Sequence, residues 1–473
     1  MKEHKKTIFI FRRDLRLEDN IGLIESLSKS EIVVPIFIFT PEQLLKNPYK
    51  SDNAVQFMME SLDDLDSQLK KKGSKMFYFF GKPYEVVDKL IDRLGIDAVY
   101  VNRDYTPYSK TRDEKIQKVC ERSKIQFHSL EDVLLYPVGT VRTGSGDIYS
   151  KFTPFFNTAR KVKVEDPKKN NYSNYISSKT KITSEFKGDK GKFYQYNENL
   201  AVNGGRELAL KILANLQKFK KYNTERDILS KQTTRLSAYI KFGCVSIREV
   251  YHKIKEKLGM KNDLIKQLYW REFYYNIGEF NTEILEKRKN FKSNYDKIPW
   301  ITYDKANNKQ KEQWKAWCDG ICGVPIVDAG MRQLNEIGYL ENRARLIVAS
   351  FLIKDMFWSP FEGEKYFSNH LCDIDWIVNS ASVGNWGWVS GGSVDTMPYF
   401  RVFNPFTQGL RFDPECNYIK KWIPELKDIP NEHIHEWDKY YHLYPNVNYP
   451  KPILDHSSSV KKTLDKYKKA LYK

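Results

Sequence analysis

Apolar residues follow two different periods along the chain. In the first third they come in short, nearly unbroken runs. Thr7 to Phe11 is rich in β-formers, and Ile32 to Phe39 (IVVPIFIF) is apolar almost throughout. Met76 to Phe80 and Ala98 to Val101 are two more such runs. Runs of this kind predict parallel strands covered on both faces. Between them, Ala54 to Lys70 places Phe57, Met58, Leu62, Leu65 and Leu69 on one face of a helix. Strand and helix alternating in this way predict a Rossmann-like α/β domain over residues 1–135, with right-handed crossovers. The glycine-rich dinucleotide fingerprint is missing, so this is not an ordinary NAD-binding half.

From about Tyr136 to Glu198 the periods dissolve into Lys, Asn, Ser, Asp and Gly. Residues 136–200 therefore read as a long interdomain connection over the surface. Beyond Gly204 the spacing becomes helical. Glu207 to Leu216 opens the region, and Leu264 to Ile277 and Pro325 to Ile337 carry apolar residues three and four apart. No useful strand alternation follows Ile247, so residues 201–473 are expected to form a larger, all-α domain.

Charge changes this picture toward a polyanionic partner. The 473 residues hold 78 Lys and Arg against 60 Asp and Glu, a net +18. Nucleic acid is the usual partner of such a chain, although much of the lysine also serves solubility. Six cysteines are scattered with no disulfide framework, which fits a reducing, intracellular setting. Cys318 and Cys322 lack the second pair that a metal site needs. No signal peptide is evident at the start, and no run of about 18 apolar residues predicts a membrane span. We expect no metal and no membrane partner.

Four segments concentrate polar and aromatic chemistry. Tyr222 to Asp227, followed by Thr233-Thr-Arg-Leu-Ser237, sets hydroxyls around arginines where a helix starts. That arrangement can bind phosphate, although helix capping explains the same residues. In the second segment Gln267, Trp270 and Arg271 share a helix face, offering an amide, a flat ring and a cation. An amphipathic helix with a half-buried tryptophan would read the same. The third segment puts Asn342 and Arg345 on one face. The fourth runs from Asp373-Ile-Asp375 and Asn379 through Trp386 and Trp388 to Pro398–Pro405. Paired acids among amides and tryptophans suit an electron-rich heterocycle better than hydrolysis. No nucleophile elbow or Walker motif accompanies them.

These segments carry a resemblance. Phe11-Arg-Arg-Asp-Leu-Arg-Leu17, Thr234-Arg-Leu-Ser-Ala-Tyr239, Trp270-Arg-Glu-Phe-Tyr274 and Gly323-Val-Pro-Ile-Val-Asp-Ala329 resemble the photolyase/cryptochrome family. Tyr399 to Pro405, Phe412-Asp-Pro414 and Trp422 to Leu426 are similar to its class I cyclobutane pyrimidine dimer photolyases. The match runs nearly end to end and in order.

The resemblance implies light-driven repair of cyclobutane dimers in UV-damaged DNA by a monomer that uses reduced FAD. It implies that Tyr222, Thr233, Thr234 and Ser237, with Arg235 nearby, bind the FAD phosphates. Arg345 would pair with Asp373 beside the ring system, Asp375 would contact the ring and ribityl region, and Asn379 would face N5. Such an amide can accept a hydrogen bond from N5–H. Trp270 and Trp388 would pack on a flipped-out dimer, Gln267 and Asn342 would hydrogen-bond its edges, and Leu346 would add apolar contact. Arg226, Arg271, Arg343 and Arg401 would hold DNA phosphates. Photoexcited reduced FAD would lend the dimer an electron and recover it after ring opening. Trp386 and Trp358 are the residues expected to carry electrons. An antenna chromophore, folate or deazaflavin, is expected near Asn102, Arg103, Asp104 and Tyr105.

The chain departs from the family pattern in several places. Gln267 stands where class I enzymes carry Glu, and it cannot donate a carboxylic proton. Asn342 and Leu346 occupy the positions of the two histidines that (6-4) repair requires. Pro360 and Asn307 fall on the middle and distal positions of the usual tryptophan chain. Ser380 to Val383 lengthens the segment after Asn379 by about three residues. A cryptochrome-like photoreceptor without repair activity is the main alternative, and a light-independent nucleic-acid-binding flavoprotein is a second.

Overall fold

A computed structural model describes residues 2–472. The backbone divides into two compact units. The first comprises Met1–Asn197, Val202–Lys220 and Thr234–Thr282; the second comprises Glu198–Ala201, Lys221–Thr233 and Glu283–Lys473.

The first unit is built on β1 (His4–Phe11), α1 (Ile21–Lys29), β2 (Ser30–Phe39), α2 (Asp52–Lys71) and β3 (Phe77–Phe80). It continues with α3 (Pro83–Leu94), β4 (Ala98–Asn102), α4 (Pro107–Arg122) and β5 (Gln126–Leu130). All strands are parallel, in the order β3-β2-β1-β4-β5, and Ile8 pairs with both Val34 and Val99. Ile8, Ile10, Val34, Ile36, Val99 and Val101 form one buried face with Val87 and Leu90 of α3 and Ile116 of α4. The four apolar runs are β1 to β4. The fifth strand, QFHSL, has no apolar run because it is a half-exposed edge strand.

The connection beyond Tyr136 is pinned to this unit. It holds α5 (Phe152–Ala159), and Tyr175 bridges to Val33 of β2. Phe186 and Phe193 pack on Phe39 and Phe80. The helices α6 (Arg206–Ala214), α7 (Leu236–Lys241), α8 (Ile247–Leu258) and α9 (Asp263–Phe280) also group with the sheet. The compact unit thus extends past residue 201, where periodicity alone sets a boundary. Local spacing marks a helix, whereas the layer it joins depends on its partners.

A buried charge network holds α8 to the sheet loops. Arg16 donates to both oxygens of Asp132 at 2.7 Å, and Arg248 Nη2 donates to the same carboxylate at 2.8 Å. Arg248 Nε donates to Asp19 at 2.9 Å. Asp14 accepts from the amides of Arg12 and Asn102. The Phe11–Leu17 motif is therefore a structural staple: buried arginines are tolerated here because each meets a carboxylate.

The second unit is helical. Its main helices are α10 (Asn308–Asp319), α11 (Pro325–Ile337), α12 (Asn342–Ser350), α13 (Pro360–His370), α14 (Trp376–Asn379), α15 (Asn385–Ser390) and α16 (His456–Leu471). A π-helical turn, Phe351–Asp355, extends α12. Trp317, Val327, Met331, Leu334, Val348 and Leu352 lie at the centre of its core. α11 and α12 approach closely at Gly330, where an added Cβ would lie 2.7 Å from Val348. Asp328 accepts from the amides of Cys322, Gly323 and Val324, closing the start of α11. Among the described residues, no helix is long and apolar enough to cross a membrane.

Candidate functional site

In the second unit the first turns of α12 gather several of the expected residues. Asn342, Arg345 and Leu346 are spaced to share one face; Asn342 is exposed and the other two are half-buried. Arg345 Nη2 donates to both oxygens of Asp373 at 2.9 Å, and its Nε donates to the Leu340 carbonyl at 2.6 Å. Burial opposes the charge on Arg345, but Asp373 outweighs it and the guanidinium pKa rises. Arg343 points elsewhere, donating to Asp227 at 2.9 Å and lying over the Phe412 ring.

Asp375 and Asn379 form a reciprocal cap on the short α14. Asp375 Oδ1 accepts from the amides of Ile377 and Val378, at 3.2 and 3.3 Å. Asn379 Oδ1 accepts from the Asp375 amide at 2.9 Å. One lone pair of the amide oxygen is therefore taken, and the Nδ2 donors form its other end. Both side chains are buried. The lengthened segment that follows is tightly tied. Ser380 Oγ accepts from Val383 and Gly384, and the Ala381 amide donates to buried Glu364 at 3.1 Å. Glu364 is a residue that local spacing did not single out.

The tryptophans differ in setting. Trp386 is buried against Phe367, ring centroids 5.0 Å apart, and against Gly363. Trp388 is half-buried, and its Nε1 donates to the Asp395 carbonyl at 3.1 Å, which fixes the indole plane. Trp358 lies against Trp314, at 4.5 Å, and Tyr303, at 6.4 Å. Tyr222 opens a short turn, Tyr222–Glu225, which ends at Arg226. Tyr222, Arg226 and Thr233 are half-buried and Arg401 is exposed.

In the first unit, Arg235 adopts a left-handed backbone (φ 52°) as the N-cap of α7, between Thr234 and Ser237. An arginine in this region is uncommon and such strain clusters at functional sites. On α9, Trp270 lies face to face with Phe152, centroids 3.5 Å apart and planes 5° from parallel. Tyr274 flanks it at 5.7 Å. Gln267 is half-buried on the same helix. Arg271 Nη1 donates to the Val133 carbonyl at 2.8 Å, and the guanidinium stacks on Tyr275. Phe152 falls where periodicity had dissolved; its aromatic-rich surroundings, FTPFF, were the one available sign.

The expected antenna residues have internal partners. Asn102 binds Asp14, Asn20 and the Gly22 amide. Arg103 binds Glu131 and Glu279, and Tyr105 binds Glu131. Asp104 accepts from Arg13, Ser109 and the Tyr105 amide.

Two family models match the chain in order: "DNA photolyase" over residues 7–171 and "FAD binding domain of DNA photolyase" over residues 264–469. A deoxyribodipyrimidine photo-lyase of Buchnera aphidicola is 32% identical, covering 99% of this chain and 98% of that protein. The chain belongs to the DNA photolyase family. The Escherichia coli deoxyribodipyrimidine photo-lyase is 30% identical, covering 97% of this chain and 98% of that protein. Among solved structures, an archaeal photolyase from Sulfolobus tokodaii is 40% identical with a TM-score of 0.86, covering 98% of this chain and all of that one. That protein holds two FAD molecules, one implicated as a light-harvesting cofactor. A class III photolyase from Agrobacterium tumefaciens aligns with a TM-score of 0.88 at 28% identity, covering 99% of this chain and 98% of that one.

Membership makes the chain a photo-lyase enzyme with FAD as its cofactor. The residues present fit a flavin. Arg345, the carboxylates of Asp373 and Asp375 and the amide of Asn379 supply donors and acceptors around one short helix. A ring edge that alternates C=O and N–H needs both.

Proposed function

We propose that this photolyase repairs cyclobutane pyrimidine dimers in DNA. The observation that carries the reading is the immobilisation of two indoles, Trp270 by the Phe152 ring and Trp388 by the Asp395 carbonyl. Flat rings held still can pack on a flipped lesion without a further ordering cost. The naming of the curated relatives as deoxyribodipyrimidine photo-lyases supports the same substrate.

Bound FAD, in its reduced form and excited by blue light, supplies the electron that opens the cyclobutane ring and takes it back. The chain's own residues bind and orient. Trp270 and Trp388 hold the two fused pyrimidines by their faces. Gln267 and Asn342 hydrogen-bond the polar edges as neutral amides, and Leu346 excludes water. Neither Asn342 nor Leu346 can act as the acid that (6-4) chemistry needs from histidines. Arg345 and Asp373 neutralise each other beside the cofactor, while Asp375 and Asn379 address its ring. Tyr222, Thr233, Thr234, Arg235 and Ser237 hold the phosphates. Arg226, Arg271, Arg343 and Arg401 engage the DNA backbone without reading sequence. In this reading a flavin joins folate and deazaflavin as an antenna chemistry, given the second FAD of the Sulfolobus tokodaii relative.

The test mixes flavin-reduced protein with an oligonucleotide carrying one thymine dimer, in blue light and in the dark. Loss of the dimer in light alone is the expected result. Survival of the dimer under illumination, with FAD bound, sinks the repair reading and leaves the photoreceptor alternative.

A further inference from the structure

Between the end of α15 and Pro405 the chain forms neither helix nor strand, yet it is tied down at successive carbonyls. The Asp395 carbonyl accepts from Trp388 Nε1, and Asp395 itself has a left-handed backbone (φ 47°). Thr396 Oγ1 accepts from Lys292 Nζ, and both groups donate to the Gly391 carbonyl at 3.0 Å. Two further carbonyls, those of Ser390 and Tyr399, meet one buried amine.

That amine is Lys354, in the π-helical turn Phe351–Asp355, with 2% of its surface exposed. Its Nζ donates to the Ser390 carbonyl at 3.2 Å, the Tyr399 carbonyl at 3.3 Å and the Tyr467 hydroxyl at 2.9 Å. An ammonium has three donors, and here each has an acceptor. Tyr467 belongs to α16; its hydroxyl donates onward to the Ser390 carbonyl at 2.8 Å, and its ring centroid lies 4.1 Å from the ammonium. The same ring lies 10° from parallel to Tyr399, centroids 5.4 Å apart. No carboxylate among the described residues bonds Lys354, and its neighbour Asp355 is turned to His456 at the start of α16. Burial pulls the Lys354 pKa from 10.5 to about 7, while the three acceptors and the ring face favour the charged form. A buried cation among neutral acceptors is a poor device for stability, because no opposite charge offsets its lost hydration. What its bonds accomplish is to join the end of the helix that carries Trp388 to the carbonyl two residues before Arg401.

We propose that Lys354 is a positioning residue for lesion recognition, holding the Trp388 indole and the Arg401 guanidinium in one fixed register with Tyr467 of α16 as its support. The proposal rests on the repair reading, which gives Trp388 to the dimer and Arg401 to the DNA backbone. Lys354 is too deeply buried to meet DNA and acts through the two carbonyls. Without it, residues 391–401 must be ordered when DNA arrives, and the ordering cost appears as lost affinity. Ring opening, once the dimer is bound, proceeds as before.

The test titrates the flavin-reduced full chain in the dark with an oligonucleotide carrying one thymine dimer and with its undamaged counterpart. Repair per absorbed photon is then measured at saturating DNA. Lys354→Met keeps the apolar stem and removes the ammonium; it is expected to lower dimer affinity about tenfold or more and to leave repair per photon unchanged. Tyr467→Phe keeps the ring on Tyr399 and removes the hydroxyl. It is expected to lower dimer affinity about threefold, and it decides the matter alone should the methionine variant fail to fold. His456→Ala is the control: it breaks the contact of α16 with Asp355 and leaves the three acceptors of Lys354 in place. It should lower the thermal midpoint and bind the dimer as wild type does. Unchanged dimer affinity in Lys354→Met or Tyr467→Phe, or an equal loss in His456→Ala, overturns the proposal. A wild type that prefers the dimer in the dark but leaves it intact in light overturns the repair reading, and the titrations still judge Lys354. A wild type with no preference for the dimer overturns both.

Discussion

Trp270 and Phe152 stack face to face, 3.5 Å between ring centroids, although 118 positions separate them in the chain. One face of the indole is thereby covered before any base arrives. Offset-stacked and edge-to-face ring pairs contribute about 0.5–1.5 kcal/mol beyond burial, and a full face-to-face stack contributes at most that much. Phe152→Leu keeps most of the volume and removes the stack. We expect dimer affinity to fall by about that energy, with affinity for undamaged DNA unchanged. Titration of both oligonucleotides by fluorescence anisotropy checks it; equal loss on both would show that Phe152 acts through stability.

Arg345 and Asp373 form a second pair, the guanidinium reaching both carboxylate oxygens at 2.9 Å. Removing one partner of a buried pair costs about 3–5 kcal/mol, because the other charge stays behind. Arg345→Gln is expected to lower the thermal midpoint and to release FAD during purification. Arg345→Lys should rescue stability only in part, since an ammonium cannot match both oxygens as the guanidinium does. Flavin-to-protein absorbance ratios and melting curves give the measurement.

Asn379 accepts the Asp375 amide, and its loss would orphan a buried donor at a cost of about 1–3 kcal/mol. Asn379→Ala should therefore destabilise the protein and disturb the flavin absorption bands together. Asn379→Asp retains the acceptor and brings a charge. It should keep the fold better than the alanine variant while shifting the flavin redox potential downward, which a dye-coupled titration reads.

Glu272 is fully buried, and burial pushes its pKa from 4.5 up to about 8. Arg271 and the Leu135 amide pull it back in part. Between these two values the unfolded chain has lost the proton that the native state keeps, so stability falls as pH rises from about 4.5 to 8. Above that range the burial penalty is fully felt. Glu272→Gln removes the titration and keeps an acceptor for Leu135. We expect a flatter stability profile and a gain on the order of a few kcal/mol above pH 8. Urea melts across that range test the sign; a wild-type midpoint that rises with pH through it would refute the assignment.

Much of this was readable along the chain. The alternation of unbroken apolar runs with helical spacing determined a parallel sheet, because strands covered on both faces tolerate no polar position. The bounds of α11 coincide with Pro325 to Ile337, since proline at the first position and glycine just past the last mark both ends. The motifs around Trp270, Asn342, Asp375 and Trp386 resembled those of the photolyase family, and it was that resemblance that implied a flavin and DNA. Tertiary structure alone decided the rest. It grouped α6 to α9 with the sheet, turned the arginine motif at Phe11–Leu17 into a buried staple, set Phe152 behind Trp270 and put Phe367 against both Trp386 and Trp317. Each of these relationships joins residues far apart in the chain. A local period reports only which face of an element is buried, never which distant ring will lie against it.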